Sequence, residues 1–261
     1  MAPNLKDNYK KISDLDGFKV IDNSFLNSFS GGRFHTENYI GKCNNLVEQS
    51  NLYDFLQENA NRFFTYPYEV AQEFREGNIV FRRVAKNLHK KFKIGRRING
   101  KHSERCRIKS VEMMNISEQL GFLVYKRKRI LKELFEKYPT ERYIPDDNRW
   151  KESYLPSIIE IAKVPGVKFD KSTRSGQRII EEHDENDQKI FAKSLALSCY
   201  YPVHILTLDG DFLRIYKEFY RQFNYQRERH GFEIPKYELS VVYLYNGVFF
   251  ILRRDGVRNI I

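Results

Sequence analysis

The 261-residue chain has few cysteines and no feature of a disulfide-bonded or membrane-spanning protein. Cys43, Cys106 and Cys199 lie far apart and form no Cys-x-x-Cys pair, so we expect reduced thiols rather than a disulfide framework or a zinc site. The longest apolar run, residues 241–252, is interrupted by an Asn-Gly pair and is too short to cross a bilayer. Residues 1–11 lack the apolar core of a secretory signal. These absences predict a cytoplasmic protein without a membrane partner.

Positive charge is present in excess, because 45 Lys and Arg residues stand against 34 Asp and Glu residues, a net charge of +11. Residues 82–109 contain twelve of the basic residues and a single acid, Glu104, and a second basic cluster covers residues 126–129. A solvated face that only keeps the protein soluble is one interpretation, and binding to a polyanion is the other. We expect a nucleic acid, RNA or DNA, as the partner. The predicted phosphate contacts are Arg82, Arg83, Lys90, Lys91, Lys93, Arg96, Arg97, Lys101, Arg105 and Arg107.

Apolar periodicity predicts strands that alternate with helices, and therefore an α/β fold with a central, mainly parallel sheet. An Asn246-Gly247 pair between two apolar runs predicts a β-hairpin near the end of the chain. The predicted elements are a strand over 18–21, a helix over 46–60, a strand over 63–66, helices over 68–76, 79–92 and 117–138, an irregular stretch over 139–176, a helix over 187–199, a strand over 203–207, a helix opened by Asp211, and the hairpin.

Acidic residues follow the predicted strands, where an α/β sheet exposes its ligand site. Asp22 ends the first strand, Asp209 follows the strand over 203–207, and Asp187 stands near the start of a helix. Each has a simpler explanation, because Asp22 and Asp211 are suited to cap helices and Asp187 is suited to the positive end of a helix dipole. Their order along the chain is more informative than any one of them.

The segments VIDNSFL, PYEVAQEF, NDQKIFAKSLA and ILTLDGDF together resemble the core of the PIN-domain nucleases of the VapC-like kind. The resemblance implies a three-layer PIN-like fold, an acidic quartet of Asp22, Glu73, Asp187 and Asp209, and RNA as the partner, with a homodimer as a further candidate because small PIN proteins often pair. It also implies Asp211 as an accessory acid and Asn23, Ser24 and Thr207 as polar neighbours, while Glu69, one turn before Glu73, stays open as the alternative glutamate. The core would span about 18–77 and 181–220 of a single domain over 1–261, with a basic, mainly helical insertion over about 78–180 and a C-terminal hairpin over about 238–254.

The chemistry expected of such a cluster is hydrolysis of phosphodiester bonds with Mg²⁺ or Mn²⁺. Hard divalent cations take oxygen ligands, and they activate water and stabilise the charge on the phosphate. Asp22, Asp187 and Asp209 are the predicted metal ligands, and Glu73 would position or deprotonate the water. We therefore expect a ribonuclease, most simply an endonuclease. The aromatic residues of the insertion contribute less to the prediction, since Phe81, Phe92 and Phe122 fall at helical core spacing.

Two alternatives remain at this point. The first is an RNA-binding module that has a PIN-like fold without catalysis, because fold does not fix activity. The second is a phosphatase or phosphotransferase that uses Asp22 as a nucleophile. It is disfavoured because the haloacid-dehalogenase pattern has an aspartate two positions later, where this chain has Ser24. A toxin role would be one form of the nuclease interpretation.

Overall fold

The structure is a computed structural model that describes most, but not all, of the chain. The described residues are 10–26, 52–66, 68–70, 74, 79, 82–83, 86–87, 89–90, 104–137, 142, 148–163, 169–172, 178–181, 185–245 and 248–259. Several residues named above lie outside them, namely Cys43, Glu73, Phe81, Lys91, Phe92, Lys93, Arg96, Arg97, Lys101, Asn246 and Gly247.

A six-stranded mixed sheet forms the centre of the fold, with the strand order β2-β1-β5-β6-β7-β8. The first four strands in this order are parallel, and β6, β7 and β8 form an antiparallel meander. The strands are β1 (Phe18–Ile21), β2 (Phe63–Phe64), β5 (Val203–Thr207), β6 (Leu239–Tyr245), β7 (Val248–Arg253) and β8 (Gly256–Asn259). A separate antiparallel pair consists of β3 (Phe169–Ser172) and β4 (Arg178–Glu181). The predicted α/β class, with a mainly parallel sheet, is confirmed.

The pairing of β1 with β5 positions the candidate site. Ile21 pairs with Leu206, so the residues that follow them, Asp22 and Thr207, emerge side by side at the carboxyl edge of the sheet. All five residues of β5 are buried, as expected for a parallel strand that is covered on both faces. The chain enters β1 through Gly17, whose φ of 87° favours glycine, and a Cβ there would lie 2.3 Å from the carbonyl oxygen of Pro202.

Helices pack around this sheet, and their apolar residues form one buried cluster with those of the strands. The helices are α1 (Asn23–Leu26), a helical segment over 52–58, α2 (Glu104–Ile130), α3 (Leu155–Ala162), α4 (Glu185–Ser198), α5 (Gly210–Arg221) and α6 (Phe223–His230). Wider π-helical turns follow α2 over Leu131–Lys137 and precede α3 over Trp150–Tyr154. Residues 68–70, 74, 79, 82–83, 86–87 and 89–90 are also helical. Within the described part of the chain, no helix is both long and apolar enough to cross a membrane.

The stretch predicted to be irregular, residues 139–176, contains both α3 and β3, so that prediction was wrong. Pro156 is the second residue of α3, where the π-helical turns over Trp150–Tyr154 continue into the α-helix, so its missing backbone N–H falls at a change of helix type. The prolines had suggested a broken chain, although this one lies within a continuous helical stretch. The predicted start at Ser117 was also wrong, since α2 begins at Glu104. The hairpin is confirmed and is extended by β8.

Candidate metal centre

Asp22 is buried at the end of β1 and is held by the two hydroxyl side chains next to it. Its backbone N–H donates to the carbonyl oxygen of Leu206 at 3.0 Å, which continues the β1–β5 ladder by one residue. Its Oδ2 accepts hydrogen bonds from the Ser24 N–H at 3.1 Å, from Ser24 Oγ, and from Thr207 Oγ1 at 2.9 Å. The side chain therefore begins α1 as a cap and is fixed from two directions.

Three other aspartates converge at the adjoining helix starts. Asp209 is the N-cap of α5, and its Oδ1 accepts from the Asp211 N–H at 2.9 Å, which turns the Asp209 carboxylate towards the first turn of the helix. Asp187 lies in the first turn of α4. One carboxylate oxygen from each of Asp187, Asp209 and Asp211 lies within 4.8 Å of the other two, and all three residues are half-buried. We call these three residues the aspartate triad.

Thr207 connects Asp22 to the aspartate triad. Its hydroxyl donates to Asp22 Oδ2 and accepts from the Asp209 N–H at 2.9 Å. Ser24 makes a parallel connection, because its Oγ accepts from the Leu208 N–H at 2.9 Å while it donates to Asp22. Two hydroxyl groups thus fix the position of Asp22 relative to the loop that carries Asp209.

Burial makes Asp22 an unusual acid. Removal of its carboxylate from water raises its pKa from 3.8 to about 6, and the hydrogen bonds from Ser24 and Thr207 oppose this rise without cancelling it. A buried carboxylate that is still ionised at neutral pH is therefore destabilising by itself. Nearby positive charge, such as a cation at the aspartate triad, would favour its ionised form.

The aspartate triad fits a hard divalent cation. Two oxygens bound at ~2.1 Å to one octahedral ion are ~3.0 Å apart when adjacent and ~4.2 Å apart when opposite. The upper limit of 4.8 Å is close to that range, so the three oxygens could share an ion after small side-chain movements. All the donors are carboxylate oxygens, which suits Mg²⁺, Mn²⁺ or Ca²⁺ better than zinc.

No family model, no curated protein and no solved structure matches the chain. No known protein therefore supplies a role for these acids, and their geometry and chemistry are the basis for proposing one.

The predicted site residues separate into three groups. Asp187 and Asp209 come together as expected, and Asp211, predicted only as an accessory acid, belongs to the same triad. Asp22 lies outside the triad but is joined to it by Thr207 and Ser24. Asn23 follows Asp22 as the first residue of α1, and Glu73 lies outside the described residues.

Glu69, the alternative glutamate, is engaged in a buried ion pair. Its Oε1 lies 2.8 Å from Lys193 Nζ, and both side chains are only 6% exposed. The same ammonium group lies 5.2 Å from the ring centre of Tyr66 and 4.9 Å from that of Trp150. The sequence carried an overlooked signal for this pair, because Lys193 stands among buried apolar residues of α4, and a lysine there requires an acidic partner.

The basic residues divide into exposed and structural ones. Arg82, Arg83 and Lys90 are helical and exposed, as phosphate contacts must be, while Arg105 and Arg107 belong to α2. The predicted contacts Lys91, Lys93, Arg96, Arg97 and Lys101 lie outside the described residues.

Half of the second basic cluster is structural. Arg127 is fully buried, donates to Tyr53 Oη at 2.6 Å and to the Phe74 carbonyl oxygen at 2.8 Å, and stacks 3.6 Å from the centre of the Phe74 ring. Lys126 is also buried and pairs with Asp54 at 2.5 Å. These two cations fasten α2 to the helical segment over 52–58.

Proposed function

We propose that the chain is a divalent-metal-dependent ribonuclease with a PIN-type core, which hydrolyses phosphodiester bonds at the aspartate triad. The observation that carries the proposal is the convergence of Asp187, Asp209 and Asp211, from two separate elements, to within 4.8 Å at the carboxyl edge of the sheet. Carboxylates held this close repel one another, and a divalent cation bound between them would offset that repulsion.

The size of that repulsion supports a bound cation. Two unit charges 4.8 Å apart repel by about 3 kcal/mol at the effective dielectric constant of a protein surface. The N-termini of α4 and α5 each offset roughly 0.3–1 kcal/mol of this, because a helix dipole favours acids in its first turn. A divalent cation between the oxygens would attract all three carboxylates and so offset the repulsion between them.

The residues around the triad have separable tasks in this proposal. Asp187, Asp209 and Asp211 would hold the cation, with Asp22 as a ligand or as a neighbouring negative charge. Mg²⁺ or Mn²⁺ bound there would activate water and stabilise the charge that develops on the phosphate. Thr207 and Ser24 hold Asp22 in one orientation, and Thr207 also fixes the backbone of Asp209.

The charge of the whole protein fits an RNA substrate. With a net charge of +11, the protein attracts a polyanion over distances of about a Debye length, ~8 Å at physiological salt. Exposed basic side chains such as Arg82 and Arg83 would hold the phosphate backbone while the acids act on one phosphodiester. By the family resemblance, the products would carry 5′-phosphate and 3′-hydroxyl ends.

A metal-titrated cleavage assay on end-labelled single-stranded RNA tests the proposal. We expect the full-length chain to cleave in Mn²⁺ or Mg²⁺ and to stop when EDTA is added. Asp209→Asn should reduce the rate by about 100-fold or more, since the loss of a ligand or of its supporting contacts weakens metal sites on that scale. Glu228→Gln, which neutralises an exposed carboxylate on α6, is the matched control and should cleave like the wild type.

Two results would refute the proposal: no cleavage by the wild type in either metal, or cleavage by Asp209→Asn at the wild-type rate. RNA binding without cleavage would instead support the alternative, a binding module that lacks catalysis.

A further inference from the structure

Two aromatic rings on α2 lie in solvent, where a sequence pattern had assigned one of them to the core. Phe122 is 56% exposed and Tyr125 is 57% exposed. The helix is instead anchored by Leu120, Leu123 and Val124, which are buried, so the expected core position of Phe122 was wrong. Residues three apart on a helix share a face, and the two rings therefore form one exposed aromatic surface. We call Phe122 and Tyr125 the aromatic platform.

One ring of the platform, that of Phe122, contacts a cation that is itself held in an ion pair. Lys126 Nζ lies 4.7 Å from the centre of the Phe122 ring, and its pairing with Asp54 at 2.5 Å keeps it there. The next residue, Arg127, ties the same turn of α2 to Tyr53 and to the Phe74 backbone. A ring that is already ordered loses little conformational entropy when a ligand stacks on it.

An exposed glycine lies beside the platform, where it weakens the helix and leaves space. Gly121 is in the middle of α2, and a Cβ built on it would meet no described atom within 4 Å. Alanine would therefore fit, and it would favour the helix more than glycine does. Gly121 therefore adds no side chain to this exposed face of the helix.

Positive charge continues from the platform along α2 and into the turn that follows it. Lys128 lies one turn beyond Tyr125 and Lys132 one turn further, and both are exposed. Arg129 is exposed as well, and its guanidinium group donates to the side-chain oxygen of Gln57. An exposed apolar surface bordered by cations matches the chemistry of a ligand that alternates flat rings with negative charges.

We propose that the aromatic platform stacks unpaired bases of a single-stranded RNA, with Lys128 and Lys132 on the adjacent phosphates. Every base has a π-face, so the platform would select single strands over duplexes without selecting a sequence. The choice of RNA rests on the proposed function, whereas the stacking itself requires no metal and no cleavage.

Binding of a fluorescent oligoribonucleotide of about twelve residues, a length within the range that such surfaces cover, tests the platform. The full chain is titrated in EDTA, which separates binding from cleavage, and Kd is measured by anisotropy at several salt concentrations. Phe122→Ala and Tyr125→Ala should each weaken binding by about 5-fold to 100-fold and leave the salt dependence unchanged, because they remove stacking and no phosphate contact. Lys128→Gln should weaken binding and lower the salt slope by about 1.

Controls keep the test independent of folding defects. Tyr225→Ala removes a ring of similar exposure, 54%, from α6 and should bind like the wild type. Tyr125→Phe keeps the ring and should retain affinity. In Phe122→Trp, single-stranded RNA should quench the fluorescence of the new indole. The wild type, whose single tryptophan is Trp150, gives the background fluorescence to be subtracted. Duplex RNA should bind all the platform variants as it binds the wild type.

The proposal that the platform stacks bases would be refuted by wild-type affinity in the double variant Phe122→Ala/Tyr125→Ala. It would also be refuted if RNA left the indole fluorescence of Phe122→Trp unquenched. This failure differs from failure of the proposed function. Loss of binding in the ring variants, with a wild type that never cleaves, would remove the nuclease and leave the platform.

Discussion

Replacement of Asp22 by asparagine should stabilise the metal-free protein while it abolishes RNA cleavage. The two effects have one cause, because the buried carboxylate is costly when it is ionised and useful only next to a cation. Asparagine has nearly the same shape as aspartate, and its Oδ1 can accept the hydrogen bonds that Asp22 Oδ2 now accepts from Ser24 and Thr207. The substitution therefore removes the charge and keeps the packing.

The magnitude follows from the pKa of Asp22. A rise from 3.8 to about 6 means that ionisation of Asp22 costs the folded protein about 3 kcal/mol more than the unfolded chain, at 1.36 kcal/mol per pH unit. Between pH 4 and pH 6 the folded protein binds more protons than the unfolded chain, so its stability falls as the pH rises through this range. The full cost is present above pH 6 and absent below pH 4. Asp22→Asn, which cannot ionise, should escape it.

Urea denaturation in EDTA at pH 4, 5, 6, 7 and 8 measures the effect as a difference between variant and wild type, in which the other titrating groups cancel. We expect no difference at pH 4 and an advantage for Asp22→Asn of about 2–3 kcal/mol at pH 7 and pH 8. Mn²⁺ should then stabilise the wild type more than the variant. A ligand that binds the folded state stabilises it in proportion to its affinity, and the Asp22 carboxylate should raise the affinity for the cation. Glu228→Gln, which changes an exposed side chain, is the control and should have nearly the same free energy of unfolding as the wild type.

The reasoning fails if Asp22→Asn is less stable than the wild type at pH 7 in EDTA. In that case the carboxylate would act mainly as a cap, and the charge-assisted hydrogen bonds to Ser24 and Thr207 would outweigh the cost of burial. A difference that does not vary with pH would also contradict the assignment, because it would show that Asp22 does not titrate in this range.

Three further substitutions test the packing of the fold by urea denaturation. Gly17→Ala should lower the free energy of unfolding by about 2 kcal/mol or more, because φ is 87° and the new Cβ would lie 2.3 Å from the Pro202 carbonyl oxygen; an unchanged midpoint would contradict this. Arg127→Lys should lower the free energy of unfolding by about 2–4 kcal/mol, since an ammonium group cannot keep both buried hydrogen bonds and the ring contact. An unchanged free energy of unfolding would show that position 127 needs only a positive charge. Lys193→Met should destabilise the protein by about 3–5 kcal/mol, because it leaves Glu69 as a lone buried charge. Adding Glu69→Leu to the same chain should restore most of this stability. If the two losses simply add, Lys193 and Glu69 do not stabilise each other.

The sequence was most informative where short apolar runs end in acids. Phe18–Ile21 and Val203–Thr207 are strands as predicted, since short runs dominated by apolar residues suit parallel strands that are covered on both faces. The two strands pair in parallel, so both of their carboxyl ends lie at one edge of the sheet. Asp22 and Asp209 therefore reach the same edge of the sheet, as expected, while their roles stay predictions.

The sequence was least informative where position alone decides the role of a residue. Phe122 and Leu123 are adjacent in the chain, and a small error in the phase of a helix exchanges the exposed and the buried position. Arg127 is of a residue type that often contacts nucleic acid, and it lies in a basic cluster. It is nevertheless buried, because Tyr53 and the Phe74 carbonyl group, from another part of the chain, accept its hydrogen bonds. Such contacts between distant segments leave no local pattern.

Asp209 shows why a cap and a metal ligand cannot be distinguished by residue type. Its Oδ1 accepts the Asp211 N–H and caps α5, and the same geometry directs the Asp209 and Asp211 carboxylates to one side. A carboxylate has two oxygens, so capping through one of them is compatible with metal binding through the other. The two roles differ in their need for charge, because asparagine caps a helix about as well as aspartate but is a poor ligand for a hard cation. If Asp209→Asn loses cleavage and keeps its stability, Asp209 is a ligand as well as a cap; if it keeps both, Asp209 is a cap alone.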